Sequence, residues 1–148
     1  MMILVDGDAC PVKDEIYKVA WRHGAKVVVV ANSHLRVPDH PDVSRVVVSD
    51  GFDAADDWIA DKAGPEAVVV TADILLAERC LKAGAAVLAP NGKPFDAGNI
   101  GSAIATRAIM ADLRAGADGI GGGPPPFTKT DRSRFLQALD RVLVARRG

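Results

Sequence analysis

Asp6, Asp8, Asp53, Asp56 and Asp73 are the residues whose type and placing could do chemistry. Asp6-Gly7-Asp8 directly follows the apolar run Ile3–Val5, and Thr71-Ala72-Asp73 follows Ala67–Val70. Asp53, Asp56 and Asp57 open an amphipathic stretch, and Asp53 shares a helical face with Asp56 or Asp57. Helix capping alone would account for Asp53 and Asp56. It does not account for Asp6, which ends an apolar run beside a glycine. Like charges gathered within a few Å repel and raise one another's pKa unless a cation sits among them. Carboxylates without a His or Cys cluster suit a hard ion, Mg²⁺ or Mn²⁺. His23, His34 and His40 show no ligand spacing, and Cys10 and Cys80 stand apart, which argues against zinc.

Those acids converge only if the surrounding elements bring them to one edge. Short Val-rich runs at Ile3–Val5, Lys26–Ala31, Arg45–Val48, Ala67–Thr71 and Ala85–Leu88 read as buried parallel strands. Val12–His23, Asp53–Ala63 and Ile74–Ala83 read as helices, the last stopping at Gly84, a natural residue for a left-handed cap. Ser33–Asp42, with Pro38 and Pro41, reads as a loop. Strands alternating with helices predict an α/β sandwich around a mainly parallel sheet, with ligands at the carboxyl edge. A further strand end there carries Asp50.

The pattern changes after Pro90. Asn91–Gly98 is turn-rich. Asn99 is expected to cap a helix from Ile100 to about Ala115, with Ile104, Ala108 and Leu113 available to the core. The run GIGGGPPP within 116–126 reads as a linker, since it lacks the Gly-Lys-Ser/Thr ending of a phosphate loop. A final helix is expected from Asp131, as its cap, to about Arg146, burying Phe135, Leu139, Val142 and Leu143. With no second set of strands, residues 1–148 form one domain: an α/β body (1–90) and a helical extension (91–148).

Composition supports a packed domain. Of 148 residues, 49% are of the AVILMFWYC set, which excludes general disorder. No apolar run approaches the ~18–20 residues of a membrane span, and Met1–Val5 has no basic flank. The expected compartment is the cytoplasm. Residues 1–100 hold 10 Lys/Arg against 15 Asp/Glu, whereas residues 101–148 hold eight against four. An acidic metal site beside a basic segment suits a phosphodiester: the metal activates water, and Lys/Arg hold the phosphates.

VDGDACPVK (Val5–Lys13), DAADDWI (Asp53–Ile59), VVVTADILLA (Val68–Ala77) and GPPPFTKTDRSRF (Gly123–Phe135) resemble the YaiI/YqxD family of bacterial proteins. The resemblance spans nearly the whole chain, and DGDACPVK is its most specific mark. It implies a three-layer PIN-like fold and, by superfamily analogy, a metal-dependent ribonuclease site. Asp6, Asp56 and Asp73 then match the acids of the first strand, the central helix and the fourth strand, with Asp8 and Asp53 in support.

Other residues carry two readings. Pro11 suits the first turn of a helix, and Cys10 beside it is a packing residue rather than a nucleophile, since no base accompanies it. Asn32 fits a turn. Arg107 and Arg132 could hold substrate phosphate or pair with acids and secure the tail.

Two rival functions share the same residues. Asp6-Gly7-Asp8 with Thr71 imitates a haloacid-dehalogenase phosphatase, with Asp6 as covalent nucleophile and Asp8 as acid/base. Against it, Cys10-Pro11 stands where Thr or Val is usual, and no cap domain is evident. A non-catalytic RNA-binding or regulatory module is the third possibility. With one Tyr and few other aromatics, such binding would be led by phosphate rather than base stacking.

Overall fold

The computed structural model describes residues 1–49, 51, 53–116 and 127–147. The first strand, β1 (Met2–Asp6), runs through a 3-10 turn at Gly7–Ala9 into helix α1 (Lys13–His23). Strands β2 (Lys26–Ala31) and β3 (Val43–Val47) follow, then α2 (Ala54–Lys62), β4 (Ala67–Val70), α3 (Ile74–Lys82) and β5 (Ala86–Leu88). A short β6 (Pro94–Phe95) precedes the helices α4 (Ile100–Gly116) and α5 (Lys129–Arg147).

The strand order is β3-β2-β1-β4-β5-β6, parallel throughout except for β6. Order reverses between β1 and β4. At such a point the two following connections leave in opposite directions, opening a crevice at the carboxyl ends.

Alternation along each strand divides the core. Ile3, Val5, Val27, Val29, Val68, Val70 and Leu88 face a cluster shared with α1 and α5. Leu4, Val30, Val69 and Val87 face the other cluster, shared with Ile59 of α2 and Leu76, Ala77 and Cys80 of α3. Strands buried on both faces must be apolar at every position, so their continuous Val runs are a physical requirement. The chain is thus a three-layer α/β sandwich with a mainly parallel sheet.

The C-terminal helix belongs to this body. Phe135, Leu139 and Leu143, four residues apart, are fully buried against α1 and the sheet. Its start differs from the expectation. Thr128, not Asp131, is the capping residue: Asp131 N–H donates to Thr128 Oγ1 at 3.1 Å, and Asp131 Oδ2 accepts from Thr128 N–H at 3.0 Å. This reciprocal pair is a capping box with the acid three residues inside.

Helix α4 departs further. Ile104 is partly buried, but Ala108 is exposed and Leu113 is 58% exposed, so neither joins the core. Its beginning packs on α3, and Ile100 reaches the second core cluster. Asn99 is not its side-chain cap. Asn99 Oδ1 accepts from Asp96 N–H at 2.9 Å, while Nδ2 donates to the Pro94 carbonyl at 2.8 Å, which pins β6 to the helix start. The linker segment 117–126 and Asp50 lie outside the described residues.

Pro11 likewise sits in the turn before α1, not in its first turn. Gly7 does not adopt positive φ. Its lack of a side chain serves proximity instead: a Cβ there would stand 2.7 Å from Val29 Cγ1.

Candidate functional site

The crevice between the ends of β1 and β4 is organised by a hydroxyl. Thr71, 2% exposed, donates from Oγ1 to Asp6 Oδ2 at 2.9 Å. The same oxygen accepts the Asp73 N–H at 3.0 Å. Asp73 then caps α3, its Oδ1 accepting from Leu75 N–H at 2.9 Å and Leu76 N–H at 3.2 Å. Asp6 and Asp73 therefore each hold one carboxylate oxygen in the fold.

Asp56 approaches from α2. Burial raises its pKa to about 6, with the charges of Asp73 and Asp6, a hydrogen bond shared with Asp73, and the charge of Asp53 adding to the effect. Asp6 is also held above the ordinary carboxylate value. Burial is the main cause; the Thr71 hydrogen bond opposes it, and the charges of Asp73 and Asp8 reinforce it. Asp73 thus bears on both Asp6 and Asp56, Asp8 on Asp6, and Asp53 on Asp56.

Asp8 and Asp53 stand at the margins. Asp8 is exposed and closes onto the end of β2, Oδ2 accepting from Asn32 N–H at 2.9 Å and Oδ1 from Ser33 Oγ at 3.2 Å. With its amide turned, Asn32 Nδ2 also reaches Asp8 Oδ2 at 3.1 Å. Asn32 thus does reach this edge, as a partner of Asp8. Asp53 precedes α2 without a side-chain cap bond, so capping does not explain it. Asp57 points elsewhere, onto Arg79 at 3.0 Å.

The donor set, carboxylate oxygens only, fits a hard divalent ion in its chemistry. Among the described residues, no three acidic, His or Cys side chains stand ready to hold one without adjustment. The acids fit such an ion in kind, as oxygen donors.

Two further candidates settle into structural roles. Cys10 is 8% exposed, and burial pushes its thiol up to about 11, so it is neutral at physiological pH and packs in the core. Arg132 donates to the Pro11 carbonyl at 2.7 Å and meets Glu15 at 3.3 Å, with its guanidinium 5.1 Å from the Phe127 ring. It ties α5 to the start of α1. Arg107 is exposed on α4 and lines a groove that Ile74, the neighbour of Asp73, also lines.

Sequence reasoning missed the role of Thr71. A β-branched residue at the end of a Val run reads as one more strand residue. The available signal was its position two residues before an acid, which is a side-chain-to-backbone turn pattern.

The model described as "Uncharacterized BCR, YaiI/YqxD family" matches residues 4–145. A UPF0178 protein of Sphingopyxis alaskensis is 76% identical over 143 residues, covering 97% of this chain and 93% of that protein. One from Jannaschia sp. is 59% identical over 143 residues, covering 96% and 92%. One from Nitrobacter winogradskyi is 57% identical over 141 residues, covering 95% and 89%. No solved structure matches at a significant level. Matched along almost its whole length by the family model and by these relatives, the chain belongs to the YaiI/YqxD family.

Proposed function

We propose that the protein is a metal-dependent phosphodiesterase of the PIN-like nuclease type, acting on RNA, with Asp6, Asp56 and Asp73 as its working acids and Mg²⁺ or Mn²⁺ as its cofactor. The observation that carries this reading is the gathering of those three acids at the switch point, where burial and the charges of Asp73 and Asp6 raise Asp56 to about 6. Packing acids together costs stability, and a fold that keeps such a cluster uses it for a cation or a proton.

A bound divalent ion would neutralise charge developing on the phosphate and acidify a water molecule. Asp6 and Asp73 would offer it their second oxygens from rigid positions, a strand end and a helix start. Thr71 fixes the distance between those positions through its paired hydrogen bonds. Asp56, whose carboxyl is raised to about 6, would complete the set from α2 and take a proton from an attacking water. Asp8 engages both its oxygens with Asn32 and Ser33, which leaves it poorly placed as the acid/base of a phosphatase.

The test is cleavage of an end-labelled single-stranded RNA by the purified protein with Mn²⁺, with Mg²⁺ and with EDTA. Cleavage should need the ion and fall by about 10²-fold or more in Asp6→Asn and Asp73→Asn. Hydrolysis of p-nitrophenyl phosphate without RNA cleavage would overturn this reading in favour of a phosphatase. Cleavage that persists at full rate in both variants would remove these acids from the reaction.

A further inference from the structure

Away from the acids, the β6 edge carries the opposite charge. A groove of about 510 Å³ runs between α3, β6 and α4, lined by Ile74, Phe95, Ser102 and Thr106 with the cations Lys93 and Arg107. On the other side of β6, a groove of about 460 Å³ is lined by Lys93 again, with Arg134 and Arg141 of α5. Neither groove has an acidic residue in its lining, in a chain with 19 Asp and Glu. Among the described residues, none of these four cations has a carboxylate oxygen within 4.0 Å. All four side chains are exposed.

The two grooves share Lys93 and Pro94 in their linings, so cations border β6 on both sides. Its position is fixed from both sides. Asn99 bonds to Pro94 on the α4 side. On the α5 side, Gly92 lies so close that a Cβ would meet the Arg134 carbonyl at 2.7 Å. Ile74, directly after Asp73, is among the residues that line the α4-side groove.

We infer that these cations form a track that binds the backbone of a single-stranded nucleic acid, with successive phosphates at Arg107, Lys93 and the Arg134–Arg141 pair, and leads the strand to the Asp73 end of the crevice. The nature of the ligand rests on the phosphodiesterase reading; the track itself stands on charge and shape. Ser102 and Thr106, one helical turn apart beside Arg107, add hydroxyl donors suited to phosphate oxygens. A linear polyanion matches cations distributed over two grooves that share Lys93, whereas a single phosphate would need them at one point. Among the described residues, Phe95 and Pro94 offer the grooves' only ring surfaces, so binding is governed by charge and is tolerant of sequence.

The experiment is fluorescence anisotropy of a labelled twelve-nucleotide single-stranded RNA with the full-length protein in EDTA, from 50 to 200 mM salt. The logarithm of affinity should fall against that of salt with a slope of about −2 to −3, near 0.7 for each phosphate held. Lys93→Ala, Arg107→Ala and Arg141→Ala should each weaken binding and reduce the slope by about 0.7. Lys18→Ala, which removes an exposed cation on α1, should change neither beyond the general effect of charge. Thermal melts of the groove variants should match the parent, since the side chains are exposed. An equal loss with Lys18→Ala, or none with the three groove variants, overturns the track. Competition by adenosine monophosphate at the same concentration as by the twelve-mer overturns the strand and assigns the groove to a free nucleotide. RNA that binds along the track but is never cut with Mn²⁺ removes the phosphodiesterase reading and leaves the track standing. Cleavage with an unchanged KM in Lys93→Ala and Arg107→Ala removes the track alone.

Discussion

Thr71 Oγ1 sits between the main chain of one acid and the side chain of another, 2.9 Å from Asp6 Oδ2 and 3.0 Å from the Asp73 nitrogen. A single buried hydroxyl thereby sets the end of β1 against the start of α3. Thr71→Val keeps the shape and removes both bonds, leaving a half-buried carboxylate and an amide without that partner. Urea denaturation should show a loss of about 1–3 kcal/mol, and Thr71→Ser should recover most of it. A Thr71→Val protein as stable as the parent would show that the hydroxyl is not what joins the two elements.

The crowded acids make a prediction with opposite signs in two conditions. Without divalent ions at neutral pH, Asp56→Asn should unfold at higher urea than the parent, because the repulsion from Asp73 and Asp6 is relieved. Mn²⁺ at a hundredfold its dissociation constant should add about 2.7 kcal/mol to the parent. The variant should gain much less. Equal Mn²⁺ shifts in both proteins would exclude Asp56 from ion binding.

The α1–α5 contact predicts an acid-sensitive step. His23 Nε2 lies 2.6 Å from Asp140 Oδ1, and Arg22 approaches the same oxygen at 3.9 Å. The hydrogen bond from His23 holds the Asp140 carboxyl below its ordinary value of 3.8, and Arg22 adds to this. A carboxylate with a lowered folded pKa contributes stability above its unfolded value, and that contribution is lost as pH falls through the folded one. Asp140→Asn should therefore melt below the parent at pH 6, and the gap should close under about pH 4. A gap that stays constant down to pH 3 would assign the loss to packing.

The tail should be inseparable from the body. Phe135 is fully buried against the first core cluster, so Phe135→Ala should cost about 3–5 kcal/mol. Leu113→Ala, at a position 58% exposed, should change stability by less than about 0.5 kcal/mol. Chemical denaturation of the two variants side by side checks both.

Cys10 should be inert in the folded protein. With its thiol pushed up to about 11 and nearly inaccessible, alkylation by iodoacetamide at pH 8 should be slow until denaturant opens the core. Rapid labelling of native protein at Cys10, read by peptide mass, would contradict the buried, protonated thiol.

What the sequence determined by itself was the alternation. Val-rich runs have to be buried on both faces, and helical spacing at Phe135 and Leu139 needs a partner surface, so the three layers and the docking of α5 follow from local pattern. The five acids were visible for the same reason, because parallel strands deliver their ends to one edge. Local pattern could not decide the caps. Thr128 and Asp131 are both capping residues by type, and only the actual helix start distinguishes the cap from the residue three positions inside it. Nor could it place Leu113, since an apolar residue at helical spacing is buried only if the body extends that far along α4.

Tertiary structure alone decided the partners. Thr71 reaches Asp6 across 65 positions of sequence and Arg132 reaches Pro11 across 121, distances over which no spacing rule carries information. The two-residue β6 escaped notice because a strand that short has no period to read, and it forms only where β5 offers an edge. The two grooves depend on that same strand: Lys93 lies just before β6, Arg107 on α4 and Arg141 on α5, and only their packing around β6 brings these scattered charges to one edge.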